Sequence, residues 1–105
     1  LAAHDRAVAY TSHAPQLLAS ALSVIADRAG ALPAAGPAFR ATTRSAGGDE
    51  AMWRDIFAAN ADEISTVLRQ LASELSTVAD GLDASPADAS AALRLLAGAR
   101  AVRRR

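Results

Sequence analysis

Arg40 and Arg44 lie four residues apart, with Thr42 and Thr43 between them. On a helix that spacing puts both guanidiniums on one face. Together they form a planar, multi-donor claw suited to a carboxylate or a phosphate. Gly47 and Gly48 follow and can take a sharp turn, and Asp49 can cap the helix carrying Glu50, Met52 and Trp53. The stretch 39–53 therefore predicts an anion-holding corner leading into a helix. His13 and Gln16, three apart, share a face of an earlier segment. His4 sits about half a turn from His13 on a straight helix, so the two histidines are expected to face different surroundings.

Each of these residues also has a plainer reading. Two arginines on a surface helix can be solvated cations, and a histidine on an apolar helix can be a hydrogen-bonded core residue. Trp53 fits a core or an interface, and Met52 suggests nothing beyond packing. The sequence has no CxxC, HExxH, GxGxxG or P-loop, so no local motif names a metal or nucleotide chemistry.

The elements that must position these residues are helical. The 105 residues suffice for one domain, and a 51% hydrophobic share allows a core. Much of that share is alanine and only 4% of residues are aromatic, which predicts close helix contacts in place of large side chains. The net charge is zero, so nothing draws the chain to nucleic acid or a membrane surface. All basic residues are arginine. Cysteine is absent, which excludes disulfides, thiolate metal sites and thiol catalysis, and fits a cytoplasmic location. No apolar run approaches the ~20 residues of a membrane helix. The chain opens on Leu1, and a piece of a longer protein is expected.

Residues 1–29 read as a helix with an apolar stripe of Leu18, Leu22 and Ile25. Pro15 predicts a kink or break near Thr11 to Ala14, and Gly30 a C-cap. Residues 31–48 read as a loop with a helical turn or two around Phe39 to Arg44. A short amphipathic helix over 49–59 is expected to turn Met52 and Ile56, together with Trp53 and Phe57, inward. Asn60 and Glu63 suggest a capping box. A long helix to about Leu82 carries Ile64, Val67, Leu68, Leu71, Leu75, Val78 and Leu82 at 3-4 spacing, a stripe that another helix must cover. Ser85-Pro86 and Asp88 predict the start of a last helix using Leu93 and Leu96. That helix runs to about Arg100, and a basic tail over 101–105 follows. The fold class is all-α.

Two stretches together resemble one family. HDRAVAYTSHAPQLLASAL at 4–22 resembles the helix of prephenate dehydrogenases that ends in SHLPH. GPAFRATTRSAGGDEAMWRDIFAAN at 36–60 resembles their GGFRDTTRIA-SDPxMWxDIxxxN segment. The order and separation of the two agree with the family as well. The chain thus resembles the C-terminal helical dimerisation domain of a prephenate or arogenate dehydrogenase, similar to the C-terminal domain of 6-phosphogluconate dehydrogenase. It lacks the Rossmann domain.

The resemblance implies a homodimer whose N-terminal Rossmann domain binds NAD or NADP and carries the catalytic histidine. This fragment would then hold neither catalytic nor cofactor residues and would be inactive alone. The reaction implied is oxidative decarboxylation of prephenate to 4-hydroxyphenylpyruvate, or of arogenate to tyrosine. By position, Arg44 matches the arginine that holds a substrate carboxylate. His4 and His13 match pocket-lining histidines, Trp53 a tryptophan at the pocket entrance, and Arg40 a basic position of the motif. The second SHLPH histidine is Gln16 here, the aspartate of FRDTTR is Ala41, and Ser45 replaces the isoleucine after TTR. A neutral amide holds a carboxylate less strongly than a protonated histidine, so specificity is expected to lean less firmly toward prephenate. Tyrosine is the effector implied for relatives, and Pro37 and Ala41 alter the corner that supports it. A regulatory module binding an aromatic amino acid and a plain dimerisation domain are the alternative readings.

Overall fold

A computed structural model describes all residues from Leu1 to Arg105, and every regular element is helical. The chain divides into two compact units, Leu1–Leu68 and Arg69–Arg105.

The first unit opens with α1 (Ala2–Val8), a π-helical turn (Ala9–His13) and α2 (Ala14–Arg28), joined without interruption. The break expected at Pro15 takes this form for a physical reason. Proline has no N–H, and its ring crowds the carbonyl one turn back. Widening the turn relieves that crowding, and the Ala14 amide bonds to the Ala9 carbonyl five residues earlier. The extra residue also changes the angular offset between His4 and His13 assumed for a straight helix. Gly30, at φ +69°, ends α2 in a Schellman motif: its amide bonds to Asp27 O, and the Ala31 amide to Ala26 O.

A 3-10 turn (Leu32–Ala34) leads to α3 (Pro37–Thr43), which packs against α2. Pro37 occupies the first turn of α3, where its missing N–H has no consequence. α4 (Glu50–Ala59) begins as expected, with Asp49 Oδ2 accepting from the Met52 amide at 2.9 Å. Its inward face matches expectation except at one residue. Met52 is half exposed, while Trp53, Ile56 and Phe57 turn inward at i, i+3 and i+4.

α5 (Ala61–Asp83) begins in the first unit and ends in the second. The capping box at its start does not form. Asn60 turns its side chain to the first helical run, and Glu63 pairs with Arg6 Nε at 3.5 Å. The buried apolar residues are Ala9, Ala14, Ala19, Ile64 and Val67. Three of the five are alanines, as the composition suggested. The stripe of Leu18, Leu22 and Ile25 on α2 exists but lies exposed.

In the second unit α6 spans Ser90–Arg103. It starts four residues later than the Ser-Pro signal implied and runs past Arg100, so Arg103 belongs to the helix and not to a free tail. The chain over 84–88 folds back on α5 instead: the Ala84 and Asp88 amides both bond to Gly81 O, at 3.2 and 2.8 Å. Asp88 Oδ1 then accepts from the Ser90 amide at 2.9 Å at the head of α6. No residue of this unit is buried. No helix of the chain is long and apolar enough to cross a membrane.

Candidate functional site

The corner between α3 and α4 is held from beneath by one side chain of α2. Gln16 is only 7% exposed. Its Nε2 donates to Ser45 O at 2.7 Å, and its Oε1 accepts from Ser20 Oγ at 2.8 Å. Ser20 Oγ in turn accepts from the Gly47 amide at 3.1 Å. Gln16 and Ser20 are four apart on one helix face, so a single stretch of α2 grips both ends of the turn.

Gly47 and Gly48 have φ of +85° and +97°, where a side chain is strained. At Gly48 space is a second constraint. A Cβ there would lie 2.9 Å from Trp53 Nε1 and 3.4 Å from Gln16 Nε2. The backbone therefore passes close against the Nε1 and Cδ1 atoms of the indole, which confines Trp53 on that side. Phe57 packs on Trp53 with ring centroids 5.6 Å apart, and His13 meets it edge-on at 6.0 Å and 88°.

Beside this cluster is a cleft of about 480 Å³, lined by Leu17, Trp53 and Phe57, with Gln16, Asp49 and Glu50 among its polar groups. Glu50 is paired with Arg54 at 2.9 Å. Aromatic and aliphatic walls with a few polar groups suit a small ring-bearing ligand.

The sequence-predicted residues fall into two sets. Gln16 and Trp53 come together at Gly48 and line the cleft, and His13 meets Trp53 edge-on without lining it. Arg40, Arg44 and His4 are exposed, line none of this cleft, and make no hydrogen bond or ion pair in the chain. Arg40 in α3 and Arg44 at its C-cap keep right-handed helical geometry, so the shared face expected of them is present. Their charges have no internal counter-ion. Arg44 is linked to the cleft through its neighbour Ser45, whose carbonyl Gln16 holds. Thr43 Oγ1 donates to Phe39 O at 2.7 Å within α3.

Two participants escaped sequence reasoning. Ser20 could have been found from its i+4 spacing to Gln16. Asn60 looked like a helix cap, yet its side-chain nitrogen lies 2.8 Å from Asp5 O and 3.2 Å from His13 Nδ1. Nothing local in the sequence signals partners that far away along the chain. No three His, Asp or Glu side chains gather where a metal could be held. The sequence has no glycine-rich dinucleotide cradle.

A family model described as the prephenate dehydrogenase dimerization domain matches residues 2–95. No curated protein and no solved structure matches the chain.

Proposed function

The chain belongs to the prephenate dehydrogenase dimerization-domain family, an oxidoreductase family of aromatic biosynthesis, and from that premise we propose that it dimerises and forms the substrate-binding wall of a cytoplasmic dehydrogenase. The reaction we assign to the whole enzyme is the NAD(P)-dependent oxidative decarboxylation of prephenate to 4-hydroxyphenylpyruvate. The nicotinamide dinucleotide would supply the hydride acceptor. We assign its binding to the Rossmann domain that the resemblance implies for the whole enzyme.

The observation that carries the substrate reading is the Arg40/Arg44 pair. Two cations about 5–6 Å apart at Cβ, with no carboxylate of their own chain, favour an external anion such as a substrate carboxylate. Trp53, with its position fixed by Gly48, Phe57 and His13, would wall the ring of the substrate. Gln16 stands where relatives have a histidine, and its amide supports the corner from below, with one N–H left for a ligand. A neutral group there tolerates the ammonium of arogenate better than a second cation would. Arogenate is therefore the alternative substrate.

Dimerisation is supported by surface. Leu75 and Leu82 on α5 are each 52% exposed, and Leu93 on α6 is 60% exposed. Apolar surface of this kind marks an interface, and a second copy is the partner proposed.

Turnover by the full-length parent, offered prephenate and arogenate separately with NAD and with NADP, tests the reading. Arg44→Ala is expected to raise KM for the preferred substrate roughly 10- to 100-fold, the worth of a charged hydrogen bond. Unchanged KM would remove Arg44 from the site. No turnover with either substrate would favour a regulatory role for the aromatic cleft.

A further inference from the structure

We propose that Asn60 fixes the tautomer of His13. It keeps the ring proton on Nε2, so that His13 is a standing hydrogen-bond donor beside Trp53.

The identity of the Asn60 atom follows from its other partner. The atom 2.8 Å from Asp5 O faces a backbone carbonyl, which can only accept, so it must be the amide nitrogen and not the amide oxygen. That nitrogen carries two hydrogens. One goes to Asp5 O, and the other points at His13 Nδ1, 3.2 Å away. Nδ1 must then accept. In the neutral ring the single proton therefore resides on Nε2. A proton on Nδ1 would set two donors against each other in a half-buried place.

The holder is itself held. Asn60 is 9% exposed and sits at the junction of α4 and α5. Its own amide bonds to Ile56 O, and its carbonyl accepts from the Ile64 amide, each at 3.0 Å. One residue along from Asp5, Arg6 pairs with Glu63 and ties the same two segments together. Trp53 meets the imidazole edge-on, which restricts the ring further. Nε2 has no hydrogen-bond partner within the chain, so its N–H is available to a ligand.

The ligand chemistry is a carbonyl, carboxylate or developing alkoxide oxygen, since only an acceptor can meet this nitrogen. That the acceptor belongs to a dehydrogenase substrate rests on the function proposed above; the tautomer does not. Asn60 acts through His13 and is a positioning residue.

The chain has only two histidines, so ¹⁵N-histidine labelling gives a spectrum that can be read directly. Long-range ¹H–¹⁵N correlation above the imidazole titration should show His13 with a pyridine-type Nδ1 and a pyrrole-type Nε2. His4, exposed and unpartnered, serves as the internal reference for an averaged ring. In Asn60→Asp a carboxylate faces Nδ1, and the His13 pattern should invert. In Asn60→Ala it should collapse toward that of His4. A wild-type His13 that is averaged, or protonated on Nδ1, overturns the proposal even if both variants fail to fold. So does an unchanged Nε2–H pattern in a folded Asn60→Ala. None of these readouts requires turnover, so they fail independently of the dehydrogenase reading, which the Arg44→Ala kinetics tests.

Discussion

All seven buried residues of the chain lie between Ala9 and Val67, and none lies in the unit from Arg69 to Arg105. Two of the seven are polar, Gln16 and Asn60, and both reach across to other segments by hydrogen bonds. The first unit thus braces its own segments with its own side chains. The second has amphipathic helices whose leucines face outward, with little to cover them. The same alanine- and leucine-rich composition serves both. The difference is that the first unit orders itself with buried polar struts, even though its α2 stripe of Leu18, Leu22 and Ile25 is exposed, whereas the second buries no residue at all and leaves its leucines for a partner to cover.

The sharpest way to break this contrast is at the leucines. Leu93→Glu combined with Leu96→Glu should abolish self-association. Burying a leucine contributes roughly 1.5–3 kcal/mol, so losing two weakens a dimer by on the order of 100-fold or more. Light scattering across a concentration series would read this. In the first unit, Gln16→Ala should leave the dimer intact but strip partners from Ser45 O and Ser20 Oγ. The expected loss is roughly 1–3 kcal/mol in urea unfolding.

Gly48→Ala is expected to be milder. Left-handed backbone costs a side chain roughly 1–2 kcal/mol, and the new methyl must push Trp53 aside. A shift in the emission of this single tryptophan should accompany a lowered melting temperature. The smallest effect belongs to the second unit. The Ser90 side chain and then its amide, with Arg94 adding, hold the Asp88 carboxyl below its ordinary value of 3.8. A depressed folded value means that its support for the first turn of α6 is present above about pH 3.8 and lost as the pH falls through the lower folded value. Faster amide exchange at Ser90 in that acid range, without global unfolding, is the expected observation.

Much of the local structure was legible because single residues dictate it. Pro15 required a disturbance, Gly30 ended α2, and Asp49 capped α4. The form of the Pro15 disturbance was not legible, because a kink and a π turn both relieve the same crowding. Long-range partners overrode local grammar at Asn60, where a capping signal yielded to Asp5 and His13. At Ser85-Pro86 a helix start yielded to a loop returning to Gly81. In the candidate site, the shared face of Arg40 and Arg44 was foreseeable from their spacing, and Gln16 and Trp53 were named by the resemblance. The division into an exposed claw and an aromatic cleft was not, since it depends on how α2 grips the glycine turn.

The contrast between the two regions depends most on the second being half of an interface. Sedimentation equilibrium of the 105-residue chain at low micromolar concentration tests that directly. The expected result is a dimer whose dissociation on dilution is accompanied by loss of helicity. A monomer that retains full helical signal would contradict it, and the exposed leucines would then need another partner or none.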